Sequence, residues 1–110
     1  MKIAEEVQGA VTIFRLEGRL DTMSSGQLES QISAIAGPEK NKIVLSLAHV
    51  DYLSSSGMRV LLAVSKKLKS LGGKLVVCGL TEEVLEIIKM AGFHQILHIT
   101  ADEANALKEF

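Results

Sequence analysis

The chain has 110 residues, of which 47% are hydrophobic and 23% charged, with a formal net charge of -1. These values predict a single globular domain spanning residues 1–110, and the near-neutral charge argues against a nucleic-acid-binding protein, which usually presents a strongly basic face. A lone cysteine excludes an internal disulfide, and the absence of a signal-peptide-like stretch or of an apolar run of about 20 residues predicts a cytoplasmic protein without membrane insertion.

The first elements are predicted to be two strands joined as a β-hairpin. Residues 3–7 form a short apolar run, and residues 10–17 alternate between apolar faces. Gln8 and Gly9 between the two runs suit a tight turn.

A helix is predicted to follow the hairpin. Residues 18–21 interrupt the alternating pattern, and either Asp21 or Thr22 can cap the helix N-terminus. Gly37 and Pro38 are typical of a helix end. The apolar face of this helix has positions spaced at i, i+4 and i+7: Leu28, Ile32 and Ile35.

The middle of the chain predicts a buried strand and a second helix. Residues 42–47 are almost continuously apolar, as in a strand buried on both faces. Three serines follow at 54–56, and Gly72 marks the end of the next helix. Apolar residues recur along that helix at steps of three and four: Met58, Leu61, Val64, Leu68 and Leu71.

The last part of the chain repeats the alternation of strand and helix. A second buried strand is predicted at 74–78, followed by a helix that Thr81 can cap. A short strand is predicted at 96–99. Residues 100–103 have the spacing of a capping box, which predicts a final helix through Leu107.

The resulting order is β-β-α-β-α-β-α-β-α. Alternating strands and helices favour parallel pairing through right-handed crossovers, whereas the opening hairpin is antiparallel. We therefore predict an α/β fold with a mixed β-sheet of four to five strands, an N-terminal hairpin and about four α-helices.

The serine segment, residues 54–56, is the strongest candidate for a functional site. In open α/β sheets, functional groups gather beyond the carboxyl ends of the strands, where loops meet helix N-termini. One serine suffices to cap a helix, and the other hydroxyls then lie at a helix end that favours an anion. The alternative interpretation is that all three serines are only turn and cap residues.

Catalytic and metal-binding chemistry finds little support in the sequence. A serine nucleophile needs a base and an orienting group, and there is no Gly-x-Ser-x-Gly elbow. His94 and His98 lack metal-ligand spacing, and Cys78 stands alone in an apolar run. No phosphate-binding glycine loop is present. We therefore predict neither an enzyme, nor a metal site, nor a cofactor.

Two segments resemble a known family. The Gly-Arg-Leu-Asp segment at 18–21 and the Asp-Tyr-Leu-Ser-Ser-Ser-Gly-Met segment at 51–58 resemble the STAS domain, most closely the bacterial anti-anti-sigma factors (anti-sigma factor antagonists). In that family the second motif usually reads Asp-Ser-Ser-Gly, and the serine directly before the glycine is phosphorylated. By position, the resemblance implies phosphorylation of Ser56, with Ser55 as its cap or recognition neighbour. Ser54 replaces the usual aspartate.

The resemblance, which covers essentially the whole chain, implies a partner-switching function. The unmodified protein would bind an anti-sigma factor that is also a serine kinase of the GHKL type, and so release a sigma factor. Phosphorylation at Ser56 would end that binding, and a PP2C-type phosphatase would restore it. We expect Asp21 to neighbour Ser56 and to repel its phosphate. The expected partner-binding residues surround the serine segment: Asp21, Thr22, Met23, Ser54, Ser55, Ser56, Met58 and Arg59.

Other uses of the same fold stay open at this point. The chain could be a non-phosphorylated STAS interaction subunit of a lipid-transport ATPase complex or of a larger signalling assembly. It could also be a nucleotide-binding STAS domain.

Overall fold

A five-stranded mixed sheet forms the centre of the molecule in the computed structural model, which describes all 110 residues. The strands lie across the sheet in their sequence order; β1 pairs with β2 antiparallel, and all other neighbours pair parallel. The predicted α/β class, hairpin and mixed sheet are confirmed. The strands are β1 (Lys2–Gln8), β2 (Val11–Leu20), β3 (Lys42–Leu53), β4 (Lys74–Cys78) and β5 (His98–Thr100).

Four α-helices connect or follow the parallel strands, as the sequence predicts. A single 3-10 turn, Phe93–Gln95, separates α3 from β5. None of these helices combines the length and the hydropathy that a membrane-spanning helix requires. The helices are α1 (Thr22–Ile35), α2 (Ser55–Ser70), α3 (Glu82–Met90) and α4 (Glu103–Leu107).

The sheet buries a different core on each face, because successive side chains of a strand point to opposite sides. Phe14 and Leu16 of β2 pack in the larger core, which also holds the apolar faces of α1, α2 and α3. Val11 and Ile13 of the same strand pack in a smaller core with Ala106 of α4. The alternation in residues 10–17 therefore assigns these side chains to the correct faces of the sheet.

The predicted ends of β2 and β3 are wrong. β2 does not end before Gly18: it continues to Leu20 through register shifts between Arg15 and Glu17 and directly after Gly18, whose φ of 120° suits glycine. Likewise β3 extends beyond residue 47 to Leu53. The two strands pair with each other past the end of β4, and this long-range pairing keeps both extended.

The last strand and the last helix also begin later than predicted. Of the strand predicted at 96–99, only residues 98 and 99 lie in β5. Ile96 directly follows the 3-10 turn and is 61% exposed. The capping box predicted at 100–103 is wrong, because Asp102 is the N-cap and its Oδ1 accepts the Asn105 N–H at 2.8 Å. The Thr81 cap is confirmed, since its Oγ1 accepts the Val84 N–H.

Candidate partner-binding and modification site

Two helix N-termini meet at the carboxyl ends of β2 and β3. The strands are parallel, and their last paired residues are Leu20 and Leu53. Asp21 then caps α1, and Ser54 caps α2. Residues from two distant segments of the chain therefore form one surface at this edge of the sheet.

Hydrogen bonds to one backbone carbonyl lock the two helix starts together. The Leu20 carbonyl oxygen accepts the Ser54 N–H at 2.9 Å and the Ser54 hydroxyl at 3.1 Å. The Ser54 Oγ in turn accepts the Gly57 N–H at 3.0 Å. Ser54 is thus the N-cap of α2, and the predicted capping role of Ser55 is wrong because Ser55 is already the first helical residue.

Gly57 permits the close approach of α2 to the end of β2. A Cβ at this position would lie 2.8 Å from the Leu20 carbonyl oxygen and 2.8 Å from Leu53 Cδ1. Both distances are shorter than any ordinary van der Waals contact. The glycine that follows the serine segment is therefore a packing requirement of the joint between the two helices.

Asp21 is engaged by its own helix. Its Oδ1 accepts the Ser24 N–H at 3.1 Å, and the Ser24 Oγ accepts the Asp21 N–H at 2.9 Å, which completes a capping box. The Ser24 hydroxyl also lies 3.0 Å from Asp21 Oδ1. The backbone N–H of Ser24, and then its hydroxyl, hold the pKa of Asp21 below its ordinary value. Asp21 is thus ionised at neutral pH, and its hydrogen bonds go to Ser24 rather than to Ser56.

Ser56 faces a cleft between α1 and α2. Its Oγ lies 3.3 Å from Thr22 Oγ1, so the side-chain contact to Ser56 comes from Thr22 rather than from the expected Asp21. The side chain is partly exposed, and neighbouring Ser55 is exposed without a side-chain hydrogen bond. The cleft has a volume of about 290 Å³ and is lined by Thr22, Ser25, Gly26, Glu29, Ser56, Arg59, Val60 and Ala63.

Comparison with known proteins decides the family. The model of the STAS domain matches residues 2–106. The chain belongs to the STAS domain family. The resemblance read from the two sequence segments is thereby confirmed.

Two relatives carry the name of anti-sigma factor antagonists. The anti-sigma F factor antagonist of Paenibacillus polymyxa is 34% identical over 110 residues, covering 99% of this chain and 94% of the relative. BtrV of Bordetella bronchiseptica, named for the same class, is 32% identical over 110 residues, covering 100% of this chain and 95% of BtrV.

A crystal structure shares the fold. That of an anti-sigma factor antagonist from Mycobacterium paratuberculosis superposes on this STAS domain with a TM-score of 0.87 and 22% identity, covering 98% of this chain and 92% of the other. At this level of identity the likeness concerns the fold.

The two methionines of the predicted partner surface differ in exposure. Met23, in the first turn of α1, is 88% exposed and lines a second cleft together with Asp21. Met58 is half-buried and packs against the larger core, in keeping with its register on α2. Of the eight predicted residues, the STAS domain thus groups Thr22, Ser56 and Arg59 in one cleft, with Asp21 and Met23 in the next.

One feature beside this surface was missed from the sequence. The guanidinium of Arg19 lies 4.1 Å from the centroid of the Tyr52 ring, on the part of β2 and β3 that extends past β4. The sequence predicts earlier ends for both strands and therefore does not predict this pairing. In the sequence, each of the two residues directly precedes a buried leucine, Leu20 or Leu53. This alternation of exposed and buried residues is the pattern that indicates a continuing strand.

Residue types that bind metals are dispersed, and the single cysteine lies inside the protein. No three His, Cys, Asp or Glu side chains lie close enough together to bind a metal ion. Cys78 is fully buried in the smaller core. Burial raises the pKa of the Cys78 thiol to about 11, which keeps it protonated and unreactive at neutral pH.

Proposed function

We propose that this STAS domain is an anti-sigma factor antagonist that works by partner switching. Its unphosphorylated form binds an anti-sigma factor that is also a GHKL-type serine kinase, and this binding releases a sigma factor. Phosphorylation at Ser56 ends the complex, and a PP2C-type phosphatase restores the binding form. The names of the two relatives support the class of function.

The observation that carries the proposal is the different engagement of the three serines. The Ser54 hydroxyl is held between the Leu20 carbonyl and the Gly57 N–H, so it is unavailable to a kinase. Ser55 and Ser56 keep hydroxyls that a partner can reach. The family pattern, in which the serine before the glycine is modified, selects Ser56 from these two.

A phosphate on Ser56 is compatible with the folded domain. Ser56 is the second residue of α2, and the first turn of a helix carries N–H groups without intrahelical partners. The helix dipole favours an added charge of about −1.5 to −2 at this end. The fold is therefore expected to persist on phosphorylation.

The switch then acts on the partner. A phosphate would add bulk and negative charge at the centre of the predicted surface, where the Asp21 carboxylate is already ionised. A partner that fits the unmodified surface loses affinity about tenfold for each ~1.4 kcal/mol of repulsion or lost contact. A few kcal/mol at this one point suffice to separate the complex.

Mapping the modified residue tests the proposal. The protein is incubated with ATP and its anti-sigma factor kinase, and the phosphorylated residue is identified by mass spectrometry. We expect one phosphate, lost in Ser56→Ala and retained in the matched variant Ser55→Ala. Undiminished phosphorylation of Ser56→Ala would refute the assignment.

A further inference from the structure

The cleft beside Ser56 is charged on both of its walls. Glu29 of α1 and Arg59 of α2 are exposed there. Arg59 follows Ser56 by three residues, and residues three apart in a helix lie on the same side. Arg59 has no ion-pair partner, because the salt bridges of the molecule are Arg15–Glu6, Arg15–Glu103 and His98–Glu109.

We infer that this cleft receives the phosphate of phosphorylated Ser56, with Arg59 as its counter-charge and the Thr22 hydroxyl as a further donor. The inference rests on the proposed phosphorylation of Ser56. It adds a second element to the switch: modification adds a negative charge to the partner surface and at the same time neutralises a cation that the unmodified surface presents.

The direction of the Ser56 side chain supports the inference. Its Oγ lies 3.3 Å from Thr22 Oγ1 on the opposite helix, so a phosphate attached to this oxygen starts inside the cleft. The open volume of about 290 Å³ leaves room for it. Phosphate offers three acceptor oxygens, and a guanidinium binds two of them with parallel hydrogen bonds.

Arginine is well suited to this role. Its guanidinium is always charged and is more weakly hydrated than a lysine ammonium, so it pairs readily with phosphate. The lysines of α2, by contrast, lie in its second half: Lys66, Lys67 and Lys69. Lys66 is ten residues from Ser56, which is about 15 Å along the helix axis.

Glu29 opposes Arg59 in the same cleft. Its carboxylate repels the phosphate and attracts the guanidinium, so it weakens the pairing without preventing it. Removing Arg59 and removing Glu29 should therefore change the proton affinity of the phosphate in opposite directions. A purely structural role of either residue would not produce this difference.

The test measures the protonation of the phosphate itself. Phosphoserine is incorporated at position 56 during translation, without any kinase, and the phosphate is titrated by ³¹P NMR. In Arg59→Gln, the phosphate dianion is expected to bind the proton that converts it to the monoanion about threefold more tightly than in the wild type, the size typical of one partly solvated ion pair. In Glu29→Gln it should bind that proton more weakly.

The matched control is Lys66→Gln, which removes one positive charge from the same helix at a distance. It should leave the titration unchanged, and added salt should reduce the effect of Arg59→Gln. Equal titrations for Arg59→Gln and Lys66→Gln would overturn the inference. Failure of a kinase to modify Ser56 would instead refute the proposed function, because the titration does not depend on that enzyme.

Discussion

The side chain of Ser54 fixes the position of the start of α2 at the site. Its hydroxyl donates to the Leu20 carbonyl and accepts the Gly57 N–H, and so joins the start of α2 to the end of β2. An aspartate at this position, as in the usual family motif, would also accept the Gly57 N–H. The replacement of aspartate by serine therefore removes a charge from the site and leaves the helix cap intact.

Loss of the Ser54 cap should destabilise the protein, whereas loss of its neighbour should not. Ser54→Ala is expected to lower the free energy of unfolding by about 1 kcal/mol, the usual effect of removing a helix N-cap. Ser55→Ala removes an exposed hydroxyl without a partner and should change it little. Urea unfolding measures both. Equal losses in the two variants would contradict the assignment of the cap.

Because the Cys78 thiol is buried, we expect the protein to lose stability at alkaline pH. Burial raises the pKa of its thiol from the ordinary 9.0 to about 11. The folded protein therefore holds this proton more tightly than the unfolded chain, so the contribution to stability is complete below pH 9 and is lost as the pH rises toward 11.

The measurement is urea unfolding at pH 8 and at several values up to pH 10.5, in the wild type and in Cys78→Ala. Other groups that titrate in this range are common to both proteins. The wild type should lose stability more steeply than Cys78→Ala. Parallel pH profiles would show that the thiol is accessible in the folded protein.

At the scale of elements, the contact between α2 and β2 depends on the absence of a side chain at Gly57. A methyl group there would meet the Leu20 carbonyl oxygen and the Leu53 side chain at 2.8 Å. The backbone oxygen cannot move without disturbing the joint between the two helix N-termini. Gly26 in α1 is the natural comparison, because a Cβ there has no neighbour within 4 Å.

The two glycines should respond to alanine in opposite directions. Gly57→Ala is expected to reduce the free energy of unfolding by about 1–3 kcal/mol through overpacking. Gly26→Ala should raise it by about 0.5–1 kcal/mol, because alanine favours a helix over the unfolded chain. Urea unfolding of both variants measures these changes in the free energy of unfolding. Stabilisation by Gly57→Ala would show that α2 lies farther from β2.

The sequence predicts elements better than their ends, and the reason is physical. The period of α1 and the alternation in β2 depend on local spacing, and both are confirmed. The extension of β3 to Leu53 depends on pairing with β2, which is distant in the chain. After β5, Asp102 rather than Thr100 is the N-cap of α4. Residue spacing alone does not decide between these two candidates.

The site was predictable to a similar degree. Asp21 and the serine segment lie at the same edge of the sheet, close to each other as expected, because parallel strands bring their carboxyl ends together. The division of roles among the serines was not predictable, since it depends on the Leu20 carbonyl. The contact of Thr22 with Ser56 also requires the relative position of two helices.

At the scale of the whole molecule, the proposed function requires a change of charge at one point of a surface that the fold holds in place. The Ser54 hydroxyl and the close packing at Gly57 hold the start of α2 against β2, and the Ser24 hydroxyl donates to the Arg19 carbonyl at the start of α1. A phosphate would therefore change the electrostatic character of this surface while the fold stays the same. Under the proposed function, regulation would therefore belong to the complex with the partner rather than to a conformational change of this chain.

The most direct test of the proposed partner switching is the affinity of this protein for the proposed partner, an anti-sigma factor kinase, measured by isothermal titration calorimetry. Two forms are compared with the unmodified protein, one carrying phosphoserine at position 56 and one carrying it at position 65 on the same helix. Phosphorylation at Ser56 is expected to weaken binding at least about tenfold, or about 1.4 kcal/mol, and phosphorylation at Ser65 much less. Equal affinities of the unmodified protein and the form phosphorylated at Ser56 would contradict the switch.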